Sequence, residues 1–107
     1  MKYVKESAKR LKKLETIVES LPKKIIVWGT GALTQRLLTN TKLKSKVFLY
    51  VNSDSKLWGK ELDGVKIISP EELTHYKYPL LVASYRFKDE ILKTIKEKKL
   101  SNQIITF

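Results

Sequence analysis

The sequence contains no cysteine among its 107 residues. This absence excludes disulfide frameworks, thiolate metal sites and cysteine nucleophiles together. The chain also lacks any run approaching the roughly 18 consecutive apolar residues that a membrane-spanning helix needs. Its first residues, MKYVKESAKRLKK, are charged where a secretory signal would need an apolar core. We therefore expect a cytoplasmic protein with no membrane span.

Known catalytic motifs are absent as well. The sequence has no Tyr-x-x-x-Lys pair of the reductase kind, no Gly-x-Ser-x-Gly nucleophile elbow and no cluster of metal-binding residues. His75 is the only histidine, and beside Tyr76 and Tyr78 it fits a surface position at a helix end better than the position of a base. The sequence therefore predicts no catalytic residue and no metal site, and it leaves open whether the chain is an enzyme.

Acidic residues are scarce relative to basic ones, at 11 against 22, which gives a formal net charge of +11. Such a charge attracts polyanions, nucleotide phosphates or anionic lipids. The basic residues are spread along the chain, with eight in residues 1–24 and fourteen in residues 25–107. Nucleic-acid-binding proteins more often concentrate their charge on one face, among exposed aromatic residues. The pattern favours a lysine-rich solvated surface over a polyanion site, and it does not favour nucleic acid as a partner.

An amphipathic N-terminal helix is predicted over residues 3–21. Val4, Leu11 and Val18 are spaced seven residues apart, and Pro22 ends the helix. The apolar seam covers about two and a half heptads, fewer than the three to four that indicate a coiled coil. The helix can therefore pack on its own domain, or it can form a homodimer seam or a contact with a partner domain. We divide the chain into this helix, residues 1–22, and one domain, residues 23–107.

Strands and helices alternate through the rest of the chain. Short apolar runs, typical of parallel strands covered on both faces, predict strands at residues 25–28, 47–51, 65–68, 80–83 and 103–107. Helical patterns follow the first and fourth strands, and a short helix begins at Ser69-Pro70. The alternation predicts an α/β, Rossmann-like three-layer fold with an extra N-terminal helix. Its sheet is expected to be parallel and five-stranded, in the order 3-2-1-4-5.

The segment from Lys24 to Leu38 combines a strand, the glycine turn Gly29-Thr30-Gly31 and a helix. In a βαβ unit such a turn directs backbone N–H groups and the positive end of a helix dipole at one spot, which suits a phosphate. Thr30 and Thr34 each add a hydroxyl that could donate to a phosphate. Thr34 stands where the dinucleotide fingerprint needs glycine or alanine, so the fingerprint is incomplete. The turn is predicted to line a ligand site; the alternative is a turn kept only for folding.

Polar residues follow the second strand. Dinucleotide-binding domains usually place an acidic residue on the ribose there, roughly 20 residues beyond the glycines. Here Asn52 takes that place and Asp54 lies two residues further on. The neutral amide lowers the case for NAD, and Lys56 nearby is compatible with NADP. A plain polar turn is the alternative, and Trp58 could stack on a base or sugar or fill a gap under the loop.

Ser84 and Arg86 follow the fourth strand. Because the chain reverses its direction of travel across the sheet between the first and fourth strands, this loop is expected to lie beside the glycine turn. Arg86 could pair with a phosphate or a carboxylate through its guanidinium fork. It could equally be a solvated residue at the start of a helix.

Three segments, IIVWGTGALTQRLL, VNSDSKLWGKELDGVKIISPEEL and LLVASYRFKDEI, together resemble the small Rossmann-like domains of bacterial surface-polysaccharide and deoxysugar enzymes. They look like the C-terminal domain of sugar C-methyltransferases and the N-terminal domain of sugar O-acyltransferases. The resemblance covers residues 23–107 and implies a supporting role in handling a nucleotide-sugar. It places the glycine turn and the turn from Asn52 to Asp54 against the nucleotide. The methyl-donor domain and the left-handed β-helix of these relatives are not found here, which implies no catalysis by these residues alone.

We therefore expect a non-catalytic or accessory module that binds a nucleotide or nucleotide-sugar in a surface-polysaccharide or sugar-modification pathway. The alternatives are a fragment of an NAD(P)-dependent reductase or epimerase, and a structural or interaction domain with an empty crevice. The expected binding residues are Gly29, Thr30, Gly31, Thr34, Asn52, Asp54, Ser84 and Arg86.

Overall fold

The computed structural model describes residues 15–84 and 86–106, and these form one six-stranded sheet with helices on both faces. The strands are β1 Ile25–Trp28, β2 Val47–Val51, β3 Glu61–Leu62, β4 Val65–Ile68, β5 Leu80–Val82 and β6 Ile104–Thr106. The helices are α1, described over residues 15–20, α2 Ala32–Asn40 and α3 Lys88–Glu97. Short 3₁₀ turns lie at Leu43–Ser45, Ser55–Leu57 and Glu72–His75. No helix in the described part of the chain is long and apolar enough to span a membrane.

The sheet is mixed, so the prediction of a parallel five-stranded Rossmann sheet in the order 3-2-1-4-5 is wrong. The observed order is β3-β4-β2-β1-β5-β6. The edge strand β3 runs antiparallel to β4, with Leu62 opposite Val65, whereas the other pairs of described strands are parallel. No strand was predicted at this edge, because a two-residue strand is too short to show a periodic pattern.

A tight hairpin turn at Asp63-Gly64 produces the antiparallel edge. Asp63 has φ 51° and Gly64 has φ 79°, and positive φ at both central residues is what a type I′ hairpin turn requires. Asp-Gly ahead of a short apolar segment such as Val65–Ile68 is a hairpin signal. This dipeptide was therefore the one local signal in the sequence for the additional strand, β3.

Each face of the sheet has its own apolar cluster. All four residues of β1 are buried, which is why the strand is apolar throughout. Ile25 and Val27 pack with residues of α1 and α2, whereas Ile26 and Trp28 pack with residues of α3. The connections after β1 and β5 therefore lead to opposite faces of the sheet.

The described end of α1 packs on its own domain. Val18 and Leu21 are buried in the core. The Lys46 ammonium donates to the carbonyl oxygens of Val18, Glu19 and Leu21, at 2.7, 3.1 and 2.9 Å. A cation at this end of a helix satisfies carbonyls that lack an intrahelical partner and opposes the negative end of the dipole. Residues 1–14, which hold Leu11 and much of the predicted seam, lie outside the described residues, so a dimer or partner contact through this helix stays a prediction.

The helix predicted to begin at Ser69-Pro70 is a single 3₁₀ turn, Glu72–His75. The Ser69 hydroxyl accepts a hydrogen bond from the Glu72 N–H at 3.3 Å and so holds the start of this turn. Tyr76 then takes an extended conformation and ends the turn. The segment therefore continues directly toward β5.

Candidate functional site

An open cleft of about 1120 Å³ lies at the carboxyl ends of β1, β2 and β5. The loop after β1 enters α2 on one face of the sheet, and the loop after β5 leads to α3 on the other face. Because these two connections diverge, a crevice remains between them, as is general for open α/β sheets. The chain thus builds the cleft from three loops that are distant in sequence.

Seven of the eight predicted site residues line this cleft: Gly29, Thr30, Gly31, Asn52, Asp54, Ser84 and Arg86. Thr34 is the exception. It is fully buried, and its hydroxyl donates to the carbonyl oxygen of Gly29 at 2.7 Å. Thr34 therefore holds the glycine turn against α2 instead of offering its hydroxyl to a ligand.

The two glycines of the turn have different roles. Gly29 has φ +122°, and a Cβ on it would lie 2.8 Å from the carbonyl oxygen of Ala83. Gly31 has φ −86°, and a Cβ there would meet no atom within 4 Å. The fold thus requires glycine at Gly29, because both the backbone conformation and the contact with β5 exclude a side chain. Gly31 instead leaves open space beside the cleft.

Gly31 is also the N-cap residue of α2. No side chain in the described part of the chain caps this end of the helix, and its first turn holds no acidic residue. The first backbone N–H groups of a helix have no intrahelical partner and carry the positive end of the dipole. Since Gly31, Ala32 and Leu33 line the cleft, these groups lie at its wall.

Asn52 joins the loops after β1 and β2. Its Nδ2 donates to Thr30 Oγ1 at 2.8 Å, and its Oδ1 accepts from the Asp54 N–H at 2.8 Å. Its backbone oxygen accepts from the indole N–H of Trp58 at 2.7 Å. Trp58 does not line the cleft, so in the structure its indole closes the loop. Asp54 caps the next turn, because its Oδ1 accepts from the Lys56 N–H at 3.0 Å.

Ser84 and Arg86 form the third wall. The Ser84 hydroxyl oxygen accepts from the Phe87 N–H at 3.1 Å and so fixes the start of α3. The Arg86 guanidinium lies 5.3 Å from the centre of the Phe87 ring, which is half exposed. A planar cation over an aromatic face is a favourable pair. It leaves the guanidinium at the cleft wall with donors for an anionic group.

A family model described as C2185-like, N-terminal, matches residues 21–106. The chain belongs to this family. The match covers all six strands and the whole cleft of this C2185-like domain. No curated protein and no solved structure matches the chain significantly.

The family assignment corrects the resemblance to sugar C-methyltransferase and O-acyltransferase domains, which is wrong. The segments that carried the resemblance encode local structure. The glycine turn joins a strand to a helix, Ser69 caps a 3₁₀ turn, and Asp89 with Glu90 lies in the first turn of α3. Any βα unit can use these solutions, because they satisfy the same backbone groups and helix dipole. They therefore carry no information about a sugar pathway.

Sequence reasoning missed the part of the cleft that α3 supplies. Phe87, Glu90, Ile91 and Thr94 line it, together with Leu57 from the turn after β2. Phe87 and Ile91 contributed to the prediction of an amphipathic helix but were not predicted to line a ligand site. Ser84 was placed at the cleft because it follows a strand whose carboxyl end lies beside the glycine turn. The same reasoning applies to the first turns of the following helix and could have identified these α3 residues.

The opposite end of the sheet of this C2185-like domain carries an aromatic cluster, Phe48, Tyr76 and Tyr78. Ile25 pairs with Val47 and Ile26 with Leu49, so Phe48 lies at a shift in the register of this strand pair; it is 40% exposed. Its ring centre lies 5.0 Å from that of Tyr78 and 6.2 Å from that of Tyr76. The cluster and His75 border a hollow of about 470 Å³.

His75 is exposed beside this cluster and lies away from the cleft. Among the described residues, no group of three or more His, Asp or Glu side chains could hold a metal ion. Of the side chains that the structure describes, the ionisable groups that line the cleft are Asp54, Arg86 and Glu90. The cleft thus offers hydrogen-bond donors, two carboxylates and one guanidinium for binding.

Proposed function

We propose that this C2185-like domain is a non-catalytic or accessory module that binds a nucleotide or nucleotide-sugar in the cleft. The observation that supports the proposal is that loops far apart in the sequence line one cleft. The cleft is lined by the glycine turn, by the turn from Asn52 to Asp54, and by Ser84 and Arg86. Ligands of open α/β sheets bind at the carboxyl ends of strands, where successive connections diverge. The polysaccharide pathway is not carried forward, because the resemblance that implied it is corrected.

The cleft offers complementary groups for the parts of a nucleotide. The uncapped end of α2 and the Thr30 hydroxyl suit a phosphate. The Asp54 carboxylate can accept from ribose hydroxyls, because capping the next turn uses only part of its capacity. Leu57 and the half-exposed Phe87 ring can flank a base. The volume of about 1120 Å³ exceeds the ~300–1,000 Å³ of common small-molecule pockets, so a nucleotide-sized ligand fits.

The net charge of +11 is not the basis of this proposal. Within residues 15–84 and 86–106, the cleft lining includes Arg86 and no lysine, against the carboxylates of Asp54 and Glu90. Phosphate recognition would thus rest on backbone N–H groups, a hydroxyl and one guanidinium. We expect the affinity to depend only weakly on salt, in contrast to binding by a diffuse field of lysines.

A thermal-shift panel tests the proposal, with NAD, NADP, UDP-N-acetylglucosamine and S-adenosylmethionine as probes. A ligand at 100 times its Kd adds about 2.7 kcal/mol to the free energy of unfolding, which corresponds to a rise of about 10–20 °C in Tm for a domain of this size. We expect UDP-N-acetylglucosamine to stabilise the wild type. Gly31→Val should remove the shift, because the new side chain occupies the space beside the turn, where a Cβ meets no atom within 4 Å.

Phe48→Ala, at the opposite end of the sheet, is the matched control and should keep the ligand shift. Two results would contradict the proposal: no shift with any probe, or equal shifts in the wild type and in Gly31→Val. A shift with NAD and NADP alone would instead favour the reductase or epimerase alternative.

A further inference from the structure

The hydrogen bonds around Asn52 fix the direction of its side-chain amide. The Asp54 N–H lies 2.8 Å from one end of the amide. A backbone N–H can only donate, so the end that faces it must be the amide oxygen. The opposite end, which faces Thr30, is therefore the NH₂ group.

The direction of the Thr30 hydroxyl follows from that of the amide. Asn52 Nδ2 lies 2.8 Å from Thr30 Oγ1, and an amide nitrogen can only donate. The Thr30 oxygen is therefore the acceptor in this bond, and the hydroxyl hydrogen points elsewhere. Thr30 is half-buried and lines the cleft. Its hydrogen is thus available to an acceptor within the cleft.

We propose that Asn52 is a positioning residue that keeps the Thr30 hydroxyl as a hydrogen-bond donor to a phosphate oxygen of the bound nucleotide. The inference rests on the proposed function of the cleft and assigns the place of the phosphate group within it. Phosphate oxygens at neutral pH accept hydrogen bonds strongly. The N-terminal N–H groups of α2 adjoin Thr30 in the chain, and the Arg86 guanidinium lines the same cleft, so the cleft holds further donors for an anionic ligand.

An aspartate of the same shape would reverse this arrangement. A carboxylate could still accept from the Asp54 N–H, but it cannot donate to Thr30. The Thr30 hydroxyl would then donate to the carboxylate and be lost to the ligand. A negative charge would also stand beside the phosphate. The amide is therefore the group that makes this site compatible with an anion.

The experiment measures affinity for UDP and ADP, with uridine and adenosine as matched probes that lack phosphate. The proteins are the wild type, Asn52→Asp, Thr30→Val and the double variant. At pH 7.5 we expect Asn52→Asp to weaken diphosphate binding about 10- to 100-fold. The phosphate loses a charge-assisted hydrogen bond from Thr30 and gains a negative charge beside it. Thr30→Val should cost about 10-fold, and the double variant little more than Asn52→Asp alone. Nucleoside binding should change less than about threefold in each.

A pH series separates this role from a merely structural one. Protonation of the introduced carboxyl gives it a donor, so lowering the pH from 7.5 to 5 should restore diphosphate affinity relative to the wild type by several-fold. Thr30→Val should show no such recovery. Equal diphosphate affinity of Asn52→Asp and the wild type would overturn the inference while the proposed function stands. Equal losses for diphosphates and nucleosides, or no recovery at low pH, would overturn it too. If the wild type binds no probe, the proposed function itself fails.

Discussion

The two ends of the sheet use polar side chains in different ways. At the amino ends, Lys46 and Asn102 turn their hydrogens onto backbone carbonyls and fasten segments to the core. At the carboxyl ends, Asn52 also joins two loops. Because its Nδ2 donates to Thr30 Oγ1, the Thr30 hydroxyl hydrogen points away from the amide. The first arrangement satisfies the protein alone. The second holds loops in place and still presents donors to an open cleft, which is the property expected of a binding site.

The largest expected effect is that of Gly29→Ala, which should destabilise the domain by about 3 kcal/mol or more. The φ of +122° and the 2.8 Å approach of a Cβ to the Ala83 oxygen both oppose the new side chain. Urea unfolding measures the loss. Gly31→Ala, two residues away and free of contacts, should cost no more than about 1 kcal/mol as an exchange at an N-cap. Equal losses would contradict the separation of a folding glycine from a cleft glycine.

Removing the Lys46 ammonium tests the amino end. Lys46→Met keeps the apolar stem but leaves the carbonyls of Val18, Glu19 and Leu21 without this donor. We expect a loss of about 1–3 kcal/mol in the free energy of unfolding, by chemical denaturation. Lys44→Met, at an exposed position in the same turn, should stay within about 0.5 kcal/mol of the wild type. An equal effect of the two variants would show that the contact with α1 adds no stability.

The two structural asparagines should separate stability from binding. Asn102→Ala removes the donor to the Tyr76 and Tyr78 carbonyls, at 2.9 and 2.8 Å, and should cost about 1–2 kcal/mol. Asn52→Ala should cost a similar amount, because it removes the bonds to Thr30 and Asp54. Calorimetric titration with UDP should find weaker binding only in Asn52→Ala. A matching loss of affinity in Asn102→Ala would mean that the two ends of the sheet are not independent.

The smallest expected effect is a pH dependence confined to alkaline solution. Burial, with a smaller effect of the Asp63 charge, raises the pKa of Tyr50 from 10.0 to about 12. The unfolded chain therefore loses this proton first, and the contribution of Tyr50 to stability falls as the pH rises from about 10 through 12. Tyr50→Phe should flatten this part of the curve when urea unfolding is compared at pH 9 and pH 11. An identical slope in both proteins would show that the tyrosine does not titrate differently in the two states.

Local features of the fold could be read from the sequence. Apolar runs located β1, β2 and β4 at the observed residues, because strands covered on both faces need continuous apolar sequence. The two-residue strand β3 has no such pattern, and only Asp63-Gly64 marked it. The contact of Lys46 with α1 joins residues more than 20 positions apart. No local pattern encodes such a contact, since it depends on how the elements pack.

Some features of the candidate site could likewise be predicted from the sequence, and others could not. Ligands of open α/β sheets bind at the carboxyl ends of the strands, where successive connections diverge, and this rule predicted that the turns after β1, β2 and β5 line one cleft. It could not show that Thr34 turns inward to Gly29, or that Asn52 donates to Thr30. Those directions depend on rotamers and on which hydrogen-bond partners the folded loops supply. Seven of the residues that line the cleft were predicted from the sequence, those from α3 were missed, and the individual roles required the structure.

Backbone amide NMR during titration with UDP-N-acetylglucosamine tests the central claim most directly, because it reports both ends of the sheet in one experiment. The account predicts shifts at Gly29, Thr30, Gly31 and Ser84, and none at Phe48, Tyr76 or Tyr78. It also predicts that the shifts disappear in Gly31→Val while that variant keeps the wild-type spectrum elsewhere. Shifts centred on the aromatic cluster, or no shift at saturating ligand, would contradict it.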